Sequence, residues 1–192
     1  MFRLRVKNIK KLSDENLFSG IVNGNPEMFE ELYNRYNKRL LYYFYRMLGS
    51  DEHIAQDFLQ ELFFKILKNS GQYDPNRKFS TWIFSIAHNM CKNEYRSMEV
   101  RKIVVRTNDL DVFLQDETDE RDNAHMVANI YSELEQLDET HKSVFLLKYR
   151  ENLDLSEISE IMDVSVGTVK SRLHYARKKI QAGIQNRMKS MF

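Results

Sequence analysis

Two prolines and six glycines are all that this 192-residue chain contains. Sandwiches, barrels and βαβ units are punctuated by such breakers, so their scarcity makes a mostly helical chain the favoured fold. Apolar residues at helical spacing say the same. Phe29, Leu32, Tyr33, Tyr36, Leu40, Phe44 and Leu48 step by three and four. That predicts one face of a long helix, opened by Pro26 in its first turn and closed at Gly49. A second helix is expected from about Asp51 to Lys68, with Ile54, Phe58, Leu59, Leu62, Phe63 and Ile66 inward. A third is expected from about Ser80 to Arg96, burying Trp82, Ile83, Ile86, Ala87 and Met90. Asn69 to Arg77 between them holds Gly71 and the turn pair Asp74–Pro75 and reads as a loop.

The formal net charge of +1 hides a segregation. No acid follows Asp163, while Lys170, Arg172, Arg177, Lys178, Lys179, Arg187 and Lys189 do, and Arg3, Arg5, Lys7, Lys10 and Lys11 form a second basic stretch at the start. Asp109, Asp111, Asp116, Glu117, Asp119, Glu120 and Asp122 crowd the middle, around one apolar island, Val112, Phe113 and Leu114. Such a segment has too little apolar surface to offset its ordering entropy, so a flexible acidic linker is expected. The predicted organisation is all-α: a helical domain over 1–97, a linker over 98–123 and a smaller helical domain over 124–192. In the last, Ile130, Leu134, Leu137, Val144, Phe145, Leu146 and Tyr149 carry the helical pattern. The ends could hold nucleic acid; the middle could not. A lone Cys91 fits a reducing compartment, and no apolar run reaches the roughly 18 residues of a membrane span, so a cytoplasmic location without membrane insertion is expected.

Asp154 to Ile180 is the most informative stretch. Asp154 and Glu157 stand at capping-box spacing, and Ile158, Ile161 and Met162 give a short helix one apolar face. Asp163 falls in the turn, where a left-handed backbone is commonly needed, and Ser165 is placed to cap the next helix. There Val169, Leu173, Ala176 and Ile180 must face a core. That turns Gly167, Ser171, His174, Tyr175 and Lys178 outward, flanked by Lys170, Arg172, Arg177 and Lys179. Two helices joined by a short turn, the second apolar behind and basic in front, match a helix-turn-helix that enters a DNA major groove. Gly167 would let the backbone approach phosphate at the helix N-terminus.

Four motifs in order resemble the extracytoplasmic-function group of bacterial sigma factors. Val166 to Arg177 is similar to the region 4 recognition helix, and Phe29-Glu-Glu-Leu-Tyr-x-x-Tyr36 to the opening helix of region 2. Asp57-x-x-Gln60-Glu61 resembles the region 2.2 signature, and Phe79-x-x-Trp82-Ile-x-x-Ile86-Ala-x-Asn89 the run that begins the promoter-reading helix. The resemblance implies a sigma factor that binds core RNA polymerase and directs it to promoters. It recognises minus-ten and minus-thirty-five elements and promotes melting, with no covalent chemistry and no cofactor.

By that resemblance Asp57, Gln60 and Glu61 bind the clamp of the polymerase beta-prime subunit, and region 4 meets the beta flap. Tyr73, Phe79, Asn89 and Asn93 supply stacking surfaces and edge donors for an unpaired minus-ten strand, and Arg77, Lys78, Lys92 and Arg96 neutralise its phosphates. Trp82 is expected in the core, since its helical phase matches Ile86 and Met90. Gly167, Thr168, Lys170, Ser171, Arg172, His174 and Tyr175 would meet the minus-thirty-five duplex, with Arg177 and Lys178 on phosphate. Many relatives carry arginine at the His174-Tyr175 position, which takes away a guanidinium able to grip guanine. An anti-sigma protein is a further expected partner. Two other readings use the same residues: a two-domain regulator whose N-terminal domain senses a ligand or dimerises, and a hydrolase using His53, Asp57 and Glu61 as an i, i+4, i+8 row of metal ligands. No second helix offers a matching set, so no metal is expected.

Overall fold

In the computed structural model, which describes residues 9–102 and 129–190, helix starts are set by side chains that accept from otherwise free first-turn N–H groups. Ser13 caps α1 (Asp14–Val22), with Asn16 N donating to its Oγ at 3.3 Å. Asn25 caps α2 (Pro26–Met47), whose proline stands in the first turn. Asp51 caps α3 (Glu52–Lys68) through Ile54 N. Gly49, at φ +82°, turns the chain so that Ser50 N donates back to Tyr45 O and closes α2. A single 3-10 turn, Ser70–Gln72, opens the expected loop, and α4 spans Phe79–Lys102. Then follow α5 (129–135), α6 (Glu139–Tyr149), α7 (Leu155–Met162) and α8 (Val166–Ser190).

The described residues are helices and turns, with no strand among them. The chain folds as two units, Met1–Met90 and Cys91–Phe192. Three local expectations need correction. The sequence pattern does not predict the short helix α1. The α4 helix continues to Lys102 rather than stopping at Arg96, because Ser97 to Lys102 contains no breaker. Residues 98–102, assigned to the linker, are therefore helical; the rest of that segment, with its apolar island and acids, lies outside the described residues.

In the N-terminal unit Leu32, Tyr36, Leu40 and Phe44 of α2 are buried with Leu62, Phe63 and Ile66 of α3, Leu17 and Phe18 of α1, and Phe79, Ile83 and Phe84 of α4. The rings interlock edge to face, as in Tyr36 with Phe79, Tyr43 with Phe84 and Phe44 with Phe58. Each such burial stabilises by roughly 1.5–3 kcal/mol. Trp82 is buried in this core, as its phase requires, and buried His88 lies with Nδ1 3.4 Å from Tyr43 Oη.

The core of the C-terminal unit gathers Leu134 and Leu137, Val144 and Leu147 of α6, Ile158 and Ile161 of α7, and Val169, Ala176 and Ile180 of α8. Lys142 is buried beneath them and is paired with Glu135 at 2.7 Å, which keeps its charge from standing alone in the interior. Tyr149 is 51% exposed instead of inward, and Leu147 takes its place. Four consecutive apolar residues, Val144 to Leu147, leave the helical phase undetermined by pattern alone.

Candidate functional site

The α7–turn–α8 segment is built by contacts between near neighbours. Asp154 and Glu157 form a complete capping box: Glu157 N donates to Asp154 Oδ1 and Asp154 N to Glu157 Oε2, both at 2.8 Å. Asp163 ends α7 in the left-handed region at φ 53°, ψ 52°, and Val164 N reaches back to Ser159 O. Ser165 Oγ then accepts from Thr168 N at 3.1 Å and lies 2.9 Å from Thr168 Oγ1, fixing the start of α8. Buried Val169, Ala176 and Ile180 set the rotation of α8; Leu173 is half-buried.

With that rotation Gly167, Lys170, Ser171, His174, Tyr175, Arg177 and Lys178 are exposed, and Thr168 and Arg172 are half-buried. The basic run is not presented uniformly. Lys179 turns back to donate to Gln136 O at 2.8 Å, and Arg187 pairs with Glu133 at 2.7 Å. Tyr175, 49% exposed, is not a loose arm either: its ring lies 4.4 Å from that of His141. His141 Nδ1 in turn meets the Asp138 carboxylate at 2.6 Å. Burial works against ionisation of Asp138, but hydrogen bonds from Thr140 and His141 outweigh it and hold the carboxyl at about 2.

On α4 the structure brings Asn89, Lys92, Asn93 and Arg96 together as one exposed row at i, i+3, i+4, i+7. Arg77 and Lys78 are exposed in the preceding loop. The two aromatic candidates sit deeper than the row. Phe79 is fully buried, packed against Phe18, Tyr36 and Trp82, so its ring supports the surface from beneath and does not form part of it. Tyr73 is half-buried, its ring 5.0 Å from Trp82 and its hydroxyl donating to Arg77 O at 2.7 Å. Burial and the charges of Glu15, Asp74 and Asp14 push that hydroxyl up to about 12, so it remains a donor.

Asp57, Gln60 and Glu61 are all exposed on α3. They continue into an apolar strip that the motif did not reveal: Phe64 is 67% exposed and Leu67 lies beside it one turn on. The helical phase held the signal, since Phe64 stands seven residues after Asp57 and Leu67 seven after Gln60. Glu61, the last member of the His53 row, pairs with Lys65 at 2.7 Å. Among the described residues no group of three His, Cys, Asp or Glu is placed to hold a metal, and no helix is long and apolar enough to cross a membrane.

The family model of Sigma-70 region 2 matches residues 32–100, and that of Sigma-70 region 4 matches residues 128–180. The chain is 30% identical to the ECF RNA polymerase sigma factor SigW of Bacillus subtilis, over 97% of this chain and 98% of the relative. It is 29% identical to the RNA polymerase sigma-H factor of Pseudomonas aeruginosa, over 90% and 94%. Two solved structures share the fold. CnrH in complex with the cytosolic domain of CnrY matches at TM-score 0.67 and 24% identity, covering 90% of this chain and 97% of that one. The sigma factor RpoE of Bartonella quintana, bound to the anti-sigma factor NepR, matches at 0.65 and 18%, covering 81% and 98%. Two region models in the order of the motifs, and a relative matched along nearly its whole length, carry one conclusion: the chain belongs to the extracytoplasmic-function sigma factors, which bind core RNA polymerase and direct promoter-specific initiation of transcription.

Proposed function

We propose that this sigma factor divides its work among three surfaces. Asp57, Gln60 and Glu61 grip the beta-prime clamp through charge-assisted hydrogen bonds, and the exposed rings and chains of Phe64 and Leu67 extend that contact with apolar area. The row Asn89, Lys92, Asn93 and Arg96, with Arg77 and Lys78, holds the unpaired minus-ten strand, while half-buried Tyr73, backed by buried Phe79 and Trp82, steadies the loop before α4. The exposed front of α8, from Gly167 to Lys178, reads the minus-thirty-five element as duplex. The C-terminal groove lined by Ile130, Phe145, Tyr149, Ile180 and Ile184 takes the beta flap. The acidic linker runs through the polymerase between the two domains. The chain itself performs no covalent chemistry and works in the cytoplasm. Because both structural relatives named above are in complex with a second protein, an anti-sigma partner fits this chain as well.

The single observation that carries the reading is the α7–Asp163–α8 geometry, with an apolar back and an exposed basic front. Run-off transcription with core polymerase and a genomic fragment library tests it, and returns the promoter bases in the same assay. New transcripts dependent on the chain are expected; none would overturn the reading. Asp57→Arg or Glu61→Arg should abolish co-purification of core polymerase while leaving the helical content intact. With a net charge of only +1, the chain alone should bind promoter DNA weakly in a gel-shift titration.

A further inference from the structure

The helix α1 lies upstream of the residues matched to region 2, which begin at Leu32, and no motif reaches it. Its contacts converge on the loop and helix assigned to the minus-ten strand. Lys78, the residue before α4, has no side-chain acceptor with which to cap it. The acceptor comes instead from 64 residues away: Phe79 N donates to Glu15 Oε1 at 3.1 Å. Burial works against ionisation of Glu15, but the Phe79 N–H and the nearby Lys78 charge help to lower its pKa. One turn further along α1, Phe18 packs edge to face on Tyr73 at 5.3 Å and lies against Phe79 and Trp82 at 5.1 and 5.2 Å. So α1 grips the loop 73–79 at both ends.

The grip is anchored on its other side. Asp14, next to Glu15, accepts from Arg35 Nη1 at 2.7 Å and from Tyr36 Oη at 2.5 Å on α2. Arg35 also donates to Leu12 O and Lys10 O, tying the chain ahead of α1 to the same helix. Adjacent acids thus face different helices, Asp14 holding α1 to α2 and Glu15 holding the start of α4 to α1.

We propose that Glu15 is a positioning residue for minus-ten recognition: its carboxylate occupies the N-terminus of α4 and fixes Arg77, Lys78 and the exposed row of α4 in the geometry that receives the unpaired strand. This rests on the assignment of that strand to α4. It also means that the N-terminus of α4 is filled by a protein carboxylate and is not a phosphate site, so the strand's phosphates fall to the arginine and lysine side chains.

The test uses holoenzyme reconstituted from core polymerase and variants of the full chain, with a single-stranded oligonucleotide carrying the non-template minus-ten bases of a promoter that the run-off library returns. Glu15→Asp keeps the charge but shortens the arm, and Glu15→Ala removes it. Both should weaken oligonucleotide binding about fivefold, the effect of a lost helix cap, with the affinity for core polymerase unchanged. Glu15→Gln keeps an acceptor at the same reach and should bind like the wild type. Equal binding by all four proteins overturns the proposal. So does a parallel loss of core and oligonucleotide affinity, which is the mark of a merely structural role. A wild-type holoenzyme that ignores the strand overturns the assignment of α4 itself, and the proposal with it.

Discussion

Helices α4 and α8 each turn one exposed polar face outward, yet they are aimed by different kinds of contact. The hydrogen bonds that set the start of α8 span a few residues: Asp154 with Glu157, Val164 with Ser159, Ser165 with Thr168. The start of α4 is held by Glu15 and Phe18, more than sixty residues upstream. A surface assembled from sequence neighbours carries its own instructions, whereas one assembled across the fold depends on the whole unit having folded first. The contrast can be broken by mutation. Phe18→Ala should have the largest effect, about 3–5 kcal/mol, because the ring is almost wholly buried and touches Tyr73, Phe79 and Trp82. Hydrogen exchange should then show faster opening of amides in α1, the loop and the first turns of α4, with α7 and α8 still protected.

Asp163→Val probes the locally built half and should cost less, roughly 1–2 kcal/mol, the penalty for a branched residue at φ 53°. Faster exchange should be confined to the end of α7 and the start of α8, and Asp163→Gly should restore protection because glycine adopts that conformation freely. If Asp163→Val instead loosened α1 and the loop as strongly as Phe18→Ala does, the division between local and distant control would fail.

The same contrast explains what could be read from the amino-acid order. The capping box, the left-handed Asp163 and the Ser165 cap were all legible, since each is a spacing of three residues or a single turn position. So was the inward phase of Trp82. The cap on α4 was not legible, because nothing near Lys78 signals that its acceptor is Glu15. Residue type alone makes Phe79 a candidate stacking surface, but an aromatic ring serves a core as well as a base, and only the packing around Phe18 and Tyr36 distinguishes the two. The helical phase turns Tyr175 outward, but its stacking on His141 joins α8 to the cap of α6, a contact no local pattern encodes.

Gly167→Ala separates folding from recognition in α8. A Cβ there would meet Ser165 Oγ at 3.6 Å, an ordinary contact, and the backbone needs no positive φ, so nothing inside the chain requires glycine. The substitution should stabilise the C-terminal unit by less than about 1 kcal/mol, since the position is in the first turn. It should nonetheless weaken holoenzyme binding to a minus-thirty-five duplex, if the missing side chain is what lets phosphate approach. Unchanged duplex affinity would remove Gly167 from the interface.

The smallest effect concerns the start of α6 and the middle of α8 together. Asp138 has an ordinary value of 3.8 and is held at about 2 in the fold by the bonds from Thr140 and His141. A depressed carboxylate contributes stability that is fully present above its unfolded value and is lost as pH falls through its folded one, here between about pH 4 and pH 2. Because the carboxylate is half exposed, solvent screening leaves a contribution under about 1 kcal/mol. Asp138→Asn keeps an amide oxygen for Thr140 N and His141 N but drops the charge, so stability against pH should flatten in that window while α6 stays capped. At neutral pH the same variant releases His141 from its carboxylate, and the ring of Tyr175 from a fixed partner. Tyr175 on α8 should then sample more rotamers and discriminate less sharply among minus-thirty-five bases, with the selectivity of the α4 surface untouched.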